Sequence, residues 1–193
     1  MGDLSNIVGF DDAPFGHEHR GDVAIIGTVC ARTRLDGVLS ARVRRDGDDA
    51  TDAMIRLVQA HANHVQAVVL QGIAVAGFNV VDIHRMHKTL ERPVLVVARR
   101  WPKMEKVLRA AGALPGGAAK RALIEAAGAM EEVAPPESGP RRSAVFIQRA
   151  GLTLNAAAGL LRATTLHGNL PEALRLAHLI AGGVTTGASR GRA

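Results

Sequence analysis

The order of apolar segments along the chain predicts an α/β fold with a mixed five-stranded sheet, ordered 3-2-1-4-5, and flanking helices. Three strand-like segments come first with short connections, which favours an antiparallel arrangement. Helical and strand patterns then alternate, and a helix that crosses between neighbouring strands requires those strands to be parallel. The 193 residues are 47% hydrophobic, so we expect one core and a single domain spanning residues 1–193.

The predicted strands are short apolar runs bounded by turn-forming residues. They cover residues 5–10, 22–31, 38–44, 67–70, 93–98 and, after a Pro- and Gly-rich loop over 133–142, residues 143–148. Leu35-Asp36-Gly37 supplies the expected turn before the third strand. In the predicted order, the segment 67–70 lies beside the first strand and the segment 93–98 lies outside it.

Helices are predicted where apolar residues recur at a spacing of three or four. These segments are 48–61, 79–90, 103–114, 120–130, 152–162 and the chain from 169 onwards. For the last helix, Asn169 is the expected capping residue and Pro171 lies in the first turn. Its predicted apolar stripe consists of Leu174, Ala177, Ala181 and Val184.

Several functional classes lack their sequence signatures. Cys30 is the one cysteine, which rules out an internal disulfide framework and is typical of a cytoplasmic protein. The N-terminal MGDLSN has no basic segment before an apolar one, and no run of about 18 apolar residues occurs, so neither a signal peptide nor a membrane span is expected. The motifs of dinucleotide-binding, P-loop and serine-hydrolase proteins are also missing.

Charge is distributed unevenly along the chain. Residues 1–90 carry 9 basic and 11 acidic side chains, whereas residues 91–193 carry 15 basic and 7 acidic ones, within a formal total of +6. A fold that brings the two halves together would place carboxylates beside a cationic surface, which suits nucleic acid as a partner. A solvated, arginine-rich surface is the alternative explanation.

Carboxylates follow the predicted first and third strands. Asp11 and Asp12 end the first, and Asp46 and Asp49 follow the third. The carboxyl ends of strands 1, 3 and 4 meet at one edge of the predicted sheet, where open α/β sheets bind ligands. Clustered carboxylates suit Mg²⁺ or Mn²⁺, but only one of Asp11 and Asp12 would face the ion, and the other would cap the loop. Turn and helix-cap chemistry is the alternative for all of these aspartates.

The fourth strand ends in Gln71-Gly72, where a third carboxylate would be most useful to a metal ion. Gln71 can donate or accept hydrogen bonds but brings no charge, so it predicts a weaker metal site. Asp82, expected one turn into the following helix, could compensate for the missing charge. A solvated position is the alternative for Asp82.

The C-terminal segment carries candidate phosphate contacts. Glu172, Arg175 and His178 are three residues apart and are expected to share a helix face opposite the apolar stripe, where they could contact phosphate or orient a water. An intrahelical ion pair is the alternative. Arg190 and Arg192 lie in a Gly-containing tail, which suits an anion clamp or a frayed terminus.

Five segments together resemble the family known as domain of unknown function 99, in order and over nearly the whole chain. They are VGFDDAPF, LDGVLSARVRRDGDDAT, LQGIAVAGFNVVDIHRM, PVLVVARRWP and LPEALRLAHLIAGGVTTGASRGR. That family is similar in turn to endonuclease V, whose ribonuclease H-like fold has a mixed sheet ordered 3-2-1-4-5. The resemblance implies an enzyme that uses Mg²⁺-bound carboxylates to hydrolyse a phosphodiester near a deaminated purine.

The resemblance also implies roles for individual residues. Gly9-Phe10-Asp11 is similar to the Gly-x-Asp that begins the endonuclease V site, which makes Asp11 the expected metal ligand. Asp46 or Asp49 stands where that enzyme has its second acid. Gln71-Gly72 stands where endonuclease V has Asp-Gly, so one expected ligand is missing.

Two functional hypotheses follow. In the first, the protein is a Mg²⁺- or Mn²⁺-dependent nuclease in which Asp11 and Asp46 hold the metal and Asp49 or Asp82 positions a second ion or a water. Asp12, Gln71 and the C-terminal polar residues then contact DNA or RNA. In the second, the chain is a binding module for nucleic acid or protein that has lost catalysis. Gln71 motivates this alternative, as do four Phe, one Trp and no Tyr, which leave few platforms for stacking bases.

Overall fold

The computed structural model describes residues 4–62, 64–134 and 143–190. Within these ranges the strands are β1 (Asn6–Asp12), β2 (Asp22–Ala31), β3 (Arg34–Arg44), β4 (Ala67–Gln71), β5 (Ala74–Val75), β6 (Asn79–Val80), β7 (Val94–Ala98), β8 (Glu131–Val133) and β9 (Val145–Ala150). The helices are α1 (Ala50–His61), α2 (Ile83–Leu90), α3 (Met104–Gly112), α4 (Gly117–Ala126), α5 (Leu154–Thr164) and α6 (Glu172–Thr186). None of these helices is long and apolar enough to cross a membrane.

Seven strands form one mixed sheet in the order β3-β2-β1-β4-β7-β9-β8. β1, β2 and β3 form an antiparallel meander, and β4 pairs in parallel with both β1 and β7. The predicted order 3-2-1-4-5 is therefore confirmed, with β7 as its fifth strand. The sheet is wider than predicted because β9, the predicted strand at 143–148, pairs antiparallel with β7, and β8 adds beyond it.

Two predicted connections differ from the structure. The turn expected at Leu35–Gly37 lies instead at Arg32 and Thr33, and residues 35 and 37 pair with β2 across a bulge. Pairing along the whole of β2 therefore outweighs the local turn preference of Asp-Gly. Of the loop predicted over 133–142, Val133 ends β8, and residues 135–142 lie outside the described ranges.

Three predicted helix positions also need correction. Asp82 is the N-cap of α2, and its Oδ1 accepts the N–H of Arg85 at 2.9 Å, because residues 79–80 form β6 rather than the first turn of the helix. Asn169 does not cap α6; its side-chain amide bonds Ser143 instead. Val184 is 78% exposed, because the buried residues of α6 end at Gly182.

Apolar layers cover both faces of the sheet. One cluster joins Phe10 of β1 to Met54 of α1 and Met86 of α2, and another joins Ile7 of β1 to Leu160 of α5 and Leu174 of α6. β1, β3, β4 and β7 run in the same direction. Their carboxyl ends therefore emerge together at one edge of the sheet.

Candidate functional site

β1 delivers two adjacent aspartates to the carboxyl edge of the sheet, and their side chains leave on opposite faces. The parallel pairing of β1 with β4 places Phe10 beside Leu70. Asp11 and Gln71 each follow that pair by one residue, so they lie next to each other on the same face. The structure therefore brings together the ends of two strands that are 60 residues apart in the sequence.

Helix α6 lies directly on β1 because Gly9 has no side chain. A Cβ at Gly9 would lie 2.7 Å from the carbonyl carbon of Ala173, closer than the two atoms can pack. Thr28 of β2 donates a hydrogen bond from Oγ1 to the carbonyl oxygen of Ala173 at 2.5 Å. These contacts fix the first turn of α6 on the sheet, so His178, about one and a half turns further on, reaches the end of β1.

The contact that defines the candidate site joins Asp11 to His178. The Oδ2 atom of Asp11 lies 2.9 Å from Nδ1 of His178. Asp11 is 5% exposed, whereas the imidazole is 37% exposed. Burial, followed by the neighbouring charge of Asp12, raises the pKa of Asp11 to about 6, although the contact with His178 acts in the opposite direction. The carboxyl group of Asp11 is therefore harder to ionise than that of an exposed aspartate.

Gln71 presents an unused acceptor beside Asp11. Its Oε1 atom is buried and has no hydrogen-bond partner. Buried polar atoms in proteins nearly always have a partner. An oxygen in this state, next to a carboxylate, suits a ligand such as a hard cation or a water.

Asp12 lies on the opposite face and holds the hairpin formed by β5 and β6. Its Oδ2 atom accepts the N–H of Ala76 at 2.7 Å. Burial raises the pKa of Asp12, and the bond from Ala76 lowers it. This is the loop-capping arrangement expected for one member of the aspartate pair.

Asp46 is bound to the same hairpin. Its Oδ1 atom accepts the N–H of Phe78 at 2.8 Å, and its own N–H donates to the carbonyl oxygen of Ala76 at 2.9 Å. Nε of Arg45 lies 3.2 Å from Oδ2, an ion-pair distance, although the two atoms do not form a hydrogen bond. A Cβ at Gly77 would lie 2.3 Å from Oδ1, so glycine is needed there. Both carboxylate oxygens of Asp46 thus have partners within the protein.

Asp49 connects β3 to β6. Its Oδ1 atom accepts one hydrogen bond from Nδ2 of Asn79 at 2.6 Å and another from the backbone N–H of Arg44 at 3.1 Å. Oδ1 of Asn79 in turn accepts the N–H of Ala50, the first residue of α1, at 3.0 Å. Asn79 is fully buried and was not among the predicted site residues, although it belongs to the GFN block that carries the family resemblance.

Lys120 of α4 is a second residue that the sequence analysis did not identify. It is 5% exposed, and its Nζ atom donates to the carbonyl oxygens of Asp46 at 2.8 Å and Phe78 at 2.9 Å, and to that of Gly47. The three donors of the ammonium group are therefore satisfied by backbone carbonyls. Lys120 lies in an Ala-rich segment without a motif, so its sequence gave no signal of this role.

The candidate phosphate-binding residues of the C-terminal segment have different environments in the structure. Glu172 is 3% exposed, and both its carboxylate oxygens lie 3.0 Å from Nε of Arg175. The intrahelical ion pair is therefore present. The expected separation of faces was wrong, because Glu172 and Leu174 are both buried. Arg190 is exposed, and Arg192 lies outside the described residues.

The predicted metal ligands fall into two groups. Asp11 contacts His178 and is placed beside Gln71 by the strand register, whereas Asp46 and Asp49 are bound to the hairpin and its surroundings. Across residues 4–62, 64–134 and 143–190, no three His, Cys, Asp or Glu side chains are arranged to hold a metal ion. A metal at this edge would depend on Asp11 together with a neutral oxygen.

Comparison with known proteins places the chain in a family. The family model for endonuclease dU matches residues 4–185. A UPF0215 protein of Deinococcus radiodurans is 53% identical over 190 residues, which cover 98% of this chain and 93% of the relative. The crystal structure of a protein of unknown function from Archaeoglobus fulgidus is similar with a TM-score of 0.82 and 32% identity, over 94% of this chain and 99% of that chain.

A more distant similarity concerns the fold alone. Endonuclease V of Ciona intestinalis, in complex with DNA that contains an inosine, matches with a TM-score of 0.54 and 13% identity, over 90% of this chain and 82% of that chain. The chain therefore has an endonuclease V-like fold and belongs to the endonuclease dU family.

Proposed function

We propose that this protein is a Mg²⁺- or Mn²⁺-dependent endonuclease that hydrolyses phosphodiester bonds in nucleic acid. The observation that carries the proposal is the contact between the buried carboxyl group of Asp11 and His178, beside the unpartnered oxygen of Gln71. The family and the endonuclease V-like fold support the same class of chemistry. Because fold alone does not determine function, the proposal depends on these three side chains.

Asp11 and Gln71 are the residues that would hold the metal ion. His178 contacts only one of the two carboxylate oxygens of Asp11, and Gln71 contributes an oxygen without a partner. Mg²⁺ in phosphoryl-transfer enzymes is commonly held by one or two carboxylates, with waters and substrate phosphates as the remaining ligands. When bound, the ion would supply Lewis-acid activation of the scissile phosphate and of the attacking water.

Asp46 and Asp49 have a different role in this proposal. To contact the ion, Asp46 would have to give up Arg45 and the N–H of Phe78. We assign Asp46 and Asp49 to holding the β5–β6 hairpin over the edge of the sheet. In this role the two aspartates position the hairpin near the bound strand and do not coordinate the ion.

His178 orients Asp11 and can move a proton. With Asp11 ionised, Nδ1–H of His178 donates to Oδ2, which leaves Nε2 of the partly exposed ring as a base. Histidine changes its charge near neutral pH and is the commonest general acid or base in enzymes. His178 would accept a proton from the attacking water or return one to the leaving oxygen.

The substrate class follows from the family and from charge. The family carries the name endonuclease dU, so deoxyuridine in DNA is the first substrate to test. Inosine is the second, because the DNA bound to the Ciona endonuclease V contains it. The 15 basic residues after position 90 are suited to phosphate contacts.

A cleavage assay tests the proposal. End-labelled DNA and RNA strands, single and paired, would carry deoxyuridine, inosine or neither, and would be incubated with Mg²⁺, Mn²⁺ or a chelator. We expect metal-dependent cleavage that falls about 100-fold or more in Asp11→Asn. The matched control is Asp36→Asn, an exposed aspartate on β3, which should cleave like the wild type. A cleavage rate unchanged in Asp11→Asn would refute the assignment.

A non-catalytic binding module is the second candidate function. Gln71 brings no charge to the edge, and the described residues contain no group of three metal-binding side chains. Binding without cleavage on every substrate, unaffected by a chelator, would favour this function. Such binding should still weaken steeply with salt, since phosphate contacts release counterions.

A further inference from the structure

An exposed tryptophan lies at the same edge of the sheet as the candidate site. β7 ends at Ala98, and the chain continues as Arg99-Arg100-Trp101-Pro102-Lys103. Trp101 is 60% exposed, while the four phenylalanines are buried or half-buried. A large apolar ring left in water at such an edge needs an explanation.

The indole of Trp101 packs against one other aromatic ring. Its ring centroid lies 5.2 Å from that of Phe146, and the planes cross at 82°, an edge-to-face contact that favours one arrangement. Phe146 is itself positioned by β9, where it pairs with Ala98. A ring packed in this way loses less conformational entropy than a free ring when a ligand packs on it.

The surroundings of Trp101 are cationic. Between residues 99 and 109 the chain has five basic side chains and one acidic side chain; all five basic residues are exposed. They are Arg99, Arg100, Lys103, Lys106 and Arg109. A groove of about 260 Å³ adjoins the indole and is lined mainly by apolar side chains, including Met104, Leu108 and Ile124. An aromatic platform within a basic surface is the combination that binds single-stranded nucleic acid.

A nucleic-acid strand that contacts both Trp101 and Asp11 has to cross the edge of the sheet, because Trp101 packs on Phe146 and the strand registers place Phe146 and Asp11 on opposite faces. Only β4 separates β7 from β1 in the sheet, and neighbouring strands lie about 4.8 Å apart, so the two strand ends are about 10 Å apart. Trp101 is three residues beyond the end of β7. The separation corresponds to a few nucleotides.

We propose that Trp101 stacks on an unpaired base of the nucleic-acid strand, a few nucleotides from the bond placed at Asp11, while Arg100 and Lys103 contact its phosphates. The inference rests on the proposed function, because it names a part of the substrate: a single-stranded stretch beside the scissile bond. The five exposed basic side chains between residues 99 and 109 favour this occupant over a second copy of the chain or an apolar peptide, although, among the described residues, the one charged residue that lines the groove is Glu125.

The protein contains one Trp and no Tyr, so its intrinsic fluorescence reports on Trp101 alone. A single-stranded DNA oligonucleotide would be titrated into Asp11→Asn protein with a chelator present, so that the strand is not cut. Fluorescence of Trp101 and anisotropy of a dye on the oligonucleotide would be recorded together. We expect quenching of Trp101 that follows the anisotropy, and weaker quenching with the paired form of the same sequence.

Substitutions separate stacking from general binding. Trp101→Ala should weaken binding of the single strand by about 5- to 150-fold, the range that stacking on one aromatic ring contributes, and Trp101→Phe should restore part of the loss. Val38→Ala, an exposed apolar residue on the edge strand β3, is the matched control and should bind like the parent protein. Circular dichroism would confirm that each variant is folded.

Several results would overturn the inference that Trp101 stacks on a base. Full affinity of Trp101→Ala, or binding without quenching, would overturn the stacking inference and leave the nuclease proposal intact. Failure of the parent protein to bind any oligonucleotide at low salt would also overturn the stacking inference, whereas the nuclease proposal is decided by the cleavage assay with metal present. Fluorescence that depends on protein concentration without DNA, together with dimers in sedimentation, would show that a second copy covers Trp101 and would also overturn the inference.

Discussion

Asp11, Asp12 and Asp46 have the same functional group but three different environments. Asp11 contacts an imidazole, Asp12 accepts a backbone N–H, and Asp46 combines a backbone N–H with a guanidinium group. The alternation of strand side chains predicts that Asp11 and Asp12 point apart. Which of them meets His178 cannot be predicted from that alternation, because it depends on where α6 packs. Gly9 determines where α6 packs, because its missing side chain lets the helix approach β1. In the sequence, only the family resemblance indicated that Asp11 is the site residue of the pair.

The raised pKa of Asp11 predicts a pH-dependent cost in stability. The folded pKa is about 6 and the ordinary value is 3.8, so between these pH values the folded state binds more protons than the unfolded state. The contribution of Asp11 to the stability of the wild type therefore falls as pH rises through this window. Asp11→Asn lacks the buried charge and should be more stable than the wild type above pH 6, by at most about 3 kcal/mol. Below about pH 4 the advantage should vanish.

Urea unfolding of both proteins with a chelator present, near pH 4 and near pH 7.5, measures this difference. Asp22→Asn is the matched control, because Asp22 is exposed. An Asp11→Asn effect that is equal at both pH values would show that burial of the charge is not its cause.

At the scale of elements, the β5–β6 hairpin is the feature that the sequence analysis missed. Its strands have two residues each, too short for an alternating pattern, and Asn79 and Val80 fitted the helical spacing of the segment that follows. The hairpin and its turn nevertheless form hydrogen bonds with three aspartates from two separate parts of the chain, Asp12, Asp46 and Asp49. Such an element is stabilised by long-range polar contacts, which no local pattern reveals.

The packing of α6 on β1 predicts a sharp difference between two glycine substitutions. In Gly9→Ala the new methyl group would meet the backbone of Ala173 at 2.7 Å, so α6 must move, at a cost of about 1 to 3 kcal/mol. In Gly183→Ala, within the same helix, the methyl group meets nothing within 4 Å, and stability should rise by about 0.5 to 1 kcal/mol.

Urea unfolding compares the two variants, and the cleavage assay gives a second measurement. Gly9→Ala should lose activity even where it remains folded, because displacement of α6 separates His178 from Asp11. Equal stability and activity of the two variants would mean that the close contact at Gly9 does not position the site.

At the scale of the whole molecule, connection rules predicted most of the sheet. Short connections predicted that the first three strands are antiparallel, and crossover helices predicted that the next two are parallel. Together these rules predicted the order of five strands and the edge at which carboxyl ends meet. The placement of β9 and β8 was beyond these rules. They add antiparallel to β7 after a long interval, and only tertiary packing chooses that edge of the sheet.

The whole fold determines where the unequal charges of the two halves of the chain lie. The acidic first half supplies Asp11 at the end of β1, and the basic second half supplies residues 99–109 at the end of β7. Parallel pairing through β4 brings both ends to one edge. Arg99, Arg100 and Lys103 are exposed there, and a cationic surface beside the carboxylates stays a prediction.

The proposed metal site can be measured by a calorimetric titration with Mn²⁺ of the wild type, Asp11→Asn, Gln71→Leu and the control Asp36→Asn. If Asp11 and Gln71 form a metal site, the wild type and the control should bind one ion, and each of the other two variants should bind at least about tenfold more weakly. Unchanged affinity in Asp11→Asn, or no binding by the wild type, would contradict the account and leave a fold without its metal site.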